Sequence, residues 1–236
     1  MTTTITRAFR APYSVPNGLH ATADGLWVVD QITDRVASIG WGEPNEYGVT
    51  QFLRDIPTES SNTSGLTFGD GSLWLAANGP GTLWRPARPT DAAKGKGDIL
   101  RVDPATGNTL GRWPVPDGGG VHGIEYDAFE PGRLWVTTLH SQTLSKVRVA
   151  DWTVEHILPL PYPRAHGVIR VEDGIWVVFT SHRVIVKLDL EDGNELTRIT
   201  VPPEQPEPHC LTRWDDSFYY CDATTGWIAS ITPDSF

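Results

Sequence analysis

The chain has 236 residues, 39% of them apolar, which is enough for one domain with a continuous core. Lys and Arg number 19 against 29 Asp and Glu, a formal charge of −10, which argues against a nucleic-acid backbone or an anionic membrane surface as partner and leaves small molecules and proteins. The N-terminus lacks an apolar run of signal-peptide length, and no stretch reaches the roughly 18 apolar residues of a membrane helix. A cytoplasmic chain that a monomer suffices for is expected. The two cysteines, Cys210 and Cys221, lack Cys-x-x-Cys spacing and are expected as reduced thiols in the core.

In chain order, Ile5-Thr6-Arg7-Ala8-Phe9 reads first as a strand with no partner beside it in sequence. A unit then begins with a short apolar run, a turn at Asp24-Gly25 and the motif Leu26-Trp27-Val28. The motif returns as Leu73-Trp74-Leu75, Leu134-Trp135-Val136, Ile175-Trp176-Val177 and Phe218-Tyr219-Tyr220, each behind its own turn. A third apolar segment follows, as in Ile99–Val102 and Val186–Leu188, and a fourth strand closes on proline at Pro116, Pro161 and Pro202. No segment sustains a helical period. Repetition at this interval marks a propeller, so the fold predicted is all-β: a five-bladed β-propeller of four-stranded antiparallel blades, at roughly 11–56, 57–116, 117–161, 162–203 and 204–236 plus 1–10. The chain stops at Trp227-Ile228-Ala229-Ser230-Ile231, a third strand, so the N-terminal strand is expected to close the ring and cover the open edge. One tryptophan per blade in the second strand suits blade-to-blade packing better than an aromatic cage.

Aligned on the motif, the innermost strands start at Asn17, Ser64, His122, His166 and His209. The three histidines are 44 and 43 residues apart, one blade each, and are expected to converge on the axis. Neutral imidazoles there can bind a divalent ion, Mg, Zn or Fe, and leave a position for substrate, or one can act as general base. Asn17 and Ser64 can orient a substrate or a metal-bound water. His20 falls three residues later, opposite Thr67, Glu125, Ile169 and Thr212, and reads as structural.

Loops from strand two to strand three should emerge at the same mouth with Asp30, Asn78, His140, Thr180 and Asp222. Asp30 and Asp222 read either as an acid–base pair or as turn caps. Blade two carries an insertion from about Gly79 to Gly97 with Trp84, Arg85, Arg88, Lys94 and Lys96, long enough for a basic lid. Tyr13, Tyr162, Arg164 and Glu207 lie in loops bordering the mouth.

The repeated blade, with Ala165-His166 or Pro208-His209 opening an innermost strand, resembles the virginiamycin B lyase (streptogramin lyase) family over essentially the whole chain. The resemblance implies a propeller in which a histidine at such a position, here His166 or His209, acts as base in a metal-assisted elimination that opens an ester ring. The family's catalytic glutamate has no clear match, and its blades are more numerous. A three-histidine axial metal is also similar to the peptidyl-amidoglycolate lyases. The expected function is a metal-dependent lyase acting on a small molecule at the channel mouth. The alternatives are a non-haem iron oxygenase or metallohydrolase, and a binding propeller without chemistry.

Overall fold

The computed structural model describes residues 3–233. Blade one is β2 (Pro16–Thr22), β3 (Gly25–Asp30), β4 (Val36–Ile39) and β5 (Phe52–Ile56), and blade two is β6 (Thr63–Gly69), β7 (Ser72–Asn78), β8 (Gly97–Val102) and β9 (Thr109–Pro114). Blade three is β10 (Ile124–Tyr126), β11 (Arg133–Thr138), β12 (Thr143–Arg148) and β13 (Thr153–Pro159). Blade four is β14 (Val168–Val171), β15 (Gly174–Phe179), β16 (Val184–Leu188) and β17 (Glu195–Thr200). The last blade takes β18 (Thr212–Trp214), β19 (Ser217–Cys221) and β20 (Trp227–Pro233) from the C-terminal end and β1 (Thr3–Arg10) as its outer strand. The protein is therefore a five-bladed β-propeller whose ring closes through the antiparallel β1–β20 pair. Among the described residues, helix is limited to one 3-10 turn, Thr180–His182.

The second strands carry the core because both of their faces meet a neighbouring blade. Every residue of β15 is buried, and Trp74 and Trp135 are sealed from solvent. Clusters form across blade junctions: Trp176 and Val178 of blade four pack on Leu211, Phe218 and Tyr220 of the last blade. Leu19, Leu26 and Val28 of blade one pack on Ile228 and Phe9. Each large side chain buried this way contributes about 1.5–3 kcal/mol, so the apolar repeat enforces the ring. Cys210 and Cys221, expected as thiols, are instead joined as a disulfide, with Cα atoms 5.6 Å apart. Hairpin pairing brings them together, since the His209 N–H donates to the Cys221 carbonyl at 3.0 Å.

A ring of glycines narrows the axis just inside the histidine position. A Cβ on Gly123 would stand 1.9 Å from the His166 carbonyl oxygen, one on Gly65 2.3 Å from the His122 carbonyl oxygen, and one on Gly167 2.4 Å from Leu211 N. These obstacles are backbone and cannot swing away, so only glycine lets the inner strands approach this closely. Cys210 takes the fifth place, and the remaining void is about 10 Å³, too small for more than a single water. The channel is thus two separate mouths. Gly123→Ala is expected to cost about 2 kcal/mol or more through overpacking, lowering Tm by about 4–8 °C. A thermal melt like that of the parent protein would contradict the ring of close contacts.

Candidate active site

Each histidine is set immediately before an innermost strand, and the local backbone fixes it. The Thr137 hydroxyl accepts the N–H groups of His122 (3.1 Å) and Gly123 (2.7 Å). The His166 N–H reaches the Val178 carbonyl at 2.8 Å, and Gly167 N–H reaches across the blade junction to the His209 carbonyl at 2.8 Å. The side chains then meet in a row. His122 Nδ1 and His166 Nε2 are hydrogen-bond partners at 3.1 Å, with ring centroids 4.2 Å apart, and His166 meets His209 edge-on at 5.3 Å.

All three rings are held in the neutral form. Burial drives His122 down to about 3, with Arg164 and His209 adding to the effect. His166 lies well below the usual histidine value through burial, His122, His209 and Arg164. His209 is lowered by burial, while the Glu207 carbonyl, which meets its Nδ1 at 3.3 Å, pulls the other way. Arg164, exposed and with a positive φ of 55°, is thus a cation whose charge disfavours protonation of all three rings. His166 Nδ1 and Asn17 Oδ1 are buried without a partner among the described residues, so this layer holds unmet hydrogen-bonding capacity.

The rings do not fit a three-histidine metal centre as they stand. His122 and His166 aim nitrogens at each other rather than at a common point, and His209 Nδ1 turns back to its own loop. Among the described residues no group of three or more His, Cys, Asp or Glu side chains is arranged to hold a metal ion.

The other residues singled out in the sequence divide. Ser64 is in the layer, its hydroxyl donating to the Val121 carbonyl at 2.8 Å, beside His122. Asn78 Oδ1 accepts the Val121 N–H at 3.2 Å and so buttresses that segment. Asp30 and Asp222 are turn caps rather than an acid–base pair. Asp30 Oδ2 accepts the Thr33 N–H and hydroxyl, leaving Oδ1 buried without a partner. Asp222 accepts the N–H groups of Glu207, Thr224 and Thr225 and the Thr225 hydroxyl. Burial opposes its ionisation, but those donors hold it below the usual carboxylate range.

Tyr162 stacks on His182 (4.4 Å) and meets Phe179, away from the trio. His140 is exposed on its turn, and Trp84 is exposed on the insertion. Arg85 is engaged by Asp34 and Asp91, both at 2.8 Å, so it latches the insertion to blade one instead of reaching a substrate. Tyr13 is likewise committed, its hydroxyl donating to Asp55 at 2.6 Å. Sequence reasoning placed Glu207 at the rim but missed that it is the neighbour of His209, with Oε2 3.9 Å from Nε2. A cavity of about 340 Å³ opens off the axis next to it, between Arg7, Arg183, Glu207, Asp222 and Trp227.

No protein-family model and no curated protein matches the chain. Among solved structures it is similar to a catalytically inactive H270A virginiamycin B lyase from Staphylococcus aureus with quinupristin, at 16% identity and TM-score 0.54, covering 94% of this chain and 67% of that one. Myxococcus xanthus glutaminyl cyclase aligns at TM-score 0.66 and 10% identity, over 97% of this chain and 95% of that one. The WD40 propeller domain of Doa1 aligns at TM-score 0.58 and 10% identity, over 93% and 79%. The likeness is one of fold. No helix among the described residues is long and apolar enough to cross a membrane.

Proposed function

We propose that the chain is a lyase that takes a small molecule at the histidine mouth and opens a C–O bond with an imidazole base. The observation that carries this reading is the direct His122–His166 hydrogen bond, with the Arg164 charge acting on both rings. When His122 Nδ1 donates in that bond, His122 Nε2 holds a bare lone pair. A proton taken there from substrate carbon passes its positive charge through the bond to His166. The electrons of the broken C–H bond form a C=C bond as the C–O bond breaks, and the departing oxygen leaves as a carboxylate facing Arg164. The fold is shared with a lyase in which a histidine-to-alanine variant is catalytically inactive, which supports the assignment of histidine as base. The likeness to WD40 propellers favours the second reading, a binding module without chemistry.

Ester-containing cyclic peptides, quinupristin among them, test the proposal by mass spectrometry. Elimination gives a product of unchanged mass at a new retention time, formed about 10²–10⁴ times more slowly by His122→Ala or His166→Ala. A product heavier by one water, or variants as fast as the parent, would overturn it. Elemental analysis for magnesium, zinc and iron decides whether a divalent ion takes part: a stoichiometric ion that His166→Ala loses would make the reaction metal-assisted.

A further inference from the structure

The opposite end of the channel holds a second polar layer. His20 of β2, Thr67 of β6, Glu125 of β10 and Thr212 of β18 lie three residues beyond the histidine position on their strands, with Ile169 of β14 in the fifth place. The Thr67 hydroxyl donates to Glu125 Oε2 at 3.0 Å and meets His20 Nδ1 at 3.2 Å, while the Tyr126 N–H donates to it at 3.1 Å. With the single hydroxyl proton spent on Glu125, His20 Nδ1 is the donor in its contact. His20 and Glu125 line a cavity of about 330 Å³ whose walls include Phe129, Ile169, Arg170 and Trp214. The glycine ring separates this cavity from the trio, so a ligand here does not reach the histidine mouth.

Glu125 is a carboxyl set deep in this mouth whose two donors, the Thr67 hydroxyl and the Arg170 backbone N–H, are both neutral. The Arg170 guanidinium is also in the cavity wall but makes no hydrogen bond to the Glu125 carboxyl: it lies 4.6 Å over the Phe129 ring, donates to the Gly174 carbonyl at 3.2 Å and stands 3.7 Å from Asp127. His20 is kept neutral by burial and Asp127 has the same sign as Glu125. Arg213 and Asp215 stand at the rim, one charge of each sign. The geometry points to a small organic ammonium ion as the ligand of this cavity, its N–H groups donating to Glu125 and its apolar part lying against Ile169 and the Trp214 ring. The Trp214 ring attracts such a cation as well as its hydrocarbon, and Glu125, whose own hydrogen-bond donors are neutral, supplies the countercharge. Burial pushes the Glu125 carboxyl up to about 8, so at pH 7 it is mostly protonated, and an arriving ammonium must displace that proton.

Calorimetry with benzylamine at pH 7, in two buffers of different ionisation enthalpy, reads affinity and proton release together. Saturable binding with about one proton released per ligand is expected, with the release fading toward pH 9, where Glu125 is already ionised. Neutral benzyl alcohol should not bind. Glu125→Gln preserves size and hydrogen bonding, and should lose about tenfold or more in affinity and all of the proton release. The parent protein alone suffices as a test: no benzylamine binding at millimolar concentration, or binding without proton release, overturns the proposal. Equal binding by Glu125→Gln does so too. None of these readings depends on turnover at the histidine mouth.

Discussion

Taking the protein from pH 7 to pH 5 is expected to remove on the order of 3 kcal/mol of stability. The folded state holds His20 near 4, His122 near 3 and His166 well below the usual value, chiefly by burial, whereas the unfolded chain protonates each near 6.5. Below that pH the unfolded state binds more protons than the folded one. Each neutral ring therefore forfeits about 1.4 kcal/mol per pH unit, on the order of 4 kcal/mol for His20 and His122 together by pH 5, with His166 adding in the same direction. Glu125 works the other way. Its folded value is raised to about 8, so its contribution improves as pH falls toward the ordinary carboxylate range and offsets roughly half of the loss. Urea unfolding at the two pH values measures the net effect. In Glu125→Gln the offset is absent, and the acid loss should about double. Equal stability of the parent at both pH values would show that the rings are not held neutral.

Asp34→Asn is expected to cost on the order of 3 kcal/mol and to free the blade-two insertion. Asp34 is sealed from solvent, pairs with Arg85 (2.8 Å) and Arg88 (3.1 Å), and accepts the N–H and hydroxyl of Thr63 at 3.1 and 2.9 Å. Its φ is 58°, which asparagine tolerates, so the substitution removes charge without straining the backbone. The two guanidiniums then lose their shared anion on blade one, and the segment 79–97, which has no strand before Gly97, is held to the rest of the protein by hydrogen bonds such as Ala92 N–H to Ser61 Oγ at 2.9 Å and Arg88 to the Thr58 carbonyl at 3.3 Å. Trypsin should cut at the exposed Lys94 and Lys96 in the variant well before it does so in the parent. Unchanged proteolysis and an unchanged Tm would mean that the latch carries no stability.

The fold was legible because its signal repeats. An apolar–aromatic–apolar motif in the second strand of each blade, Leu-Trp-Val or a variant of it, is dictated by packing on two sides, and an unpaired third strand at Trp227–Ile231 demands a partner that only Ile5–Phe9 supplied. The histidine layer was legible for the same reason: position 122, 166 and 209 are one residue of one repeat. Ligand geometry is not legible from position. The repeat places Cα atoms, but whether an imidazole turns to a neighbour's nitrogen or to a common ion depends on rotamers and on loops such as 207–209. Asp30 and Asp222 were ambiguous because a turn-capping aspartate and a catalytic one share a spacing. The Arg85 ion pair is invisible in the sequence because its partner Asp34 is 51 residues away and unrelated by repeat. His20 stood in plain register with Thr67 and Glu125, and was set aside only because it missed the histidine position. The cysteines pair through hairpin geometry, which their spacing alone does not reveal.

The most direct test of a neutral, hydrogen-bonded imidazole pair at the mouth is long-range proton–nitrogen NMR of His122 and His166 at pH 7 and pH 5. Each ring is expected to show one protonated and one bare nitrogen at both pH values, with the shared proton between His122 Nδ1 and His166 Nε2 strongly shifted. Rings that carry protons on both nitrogens at pH 5, or that titrate near 6.5 without coupling to each other, would contradict the imidazole base at this site.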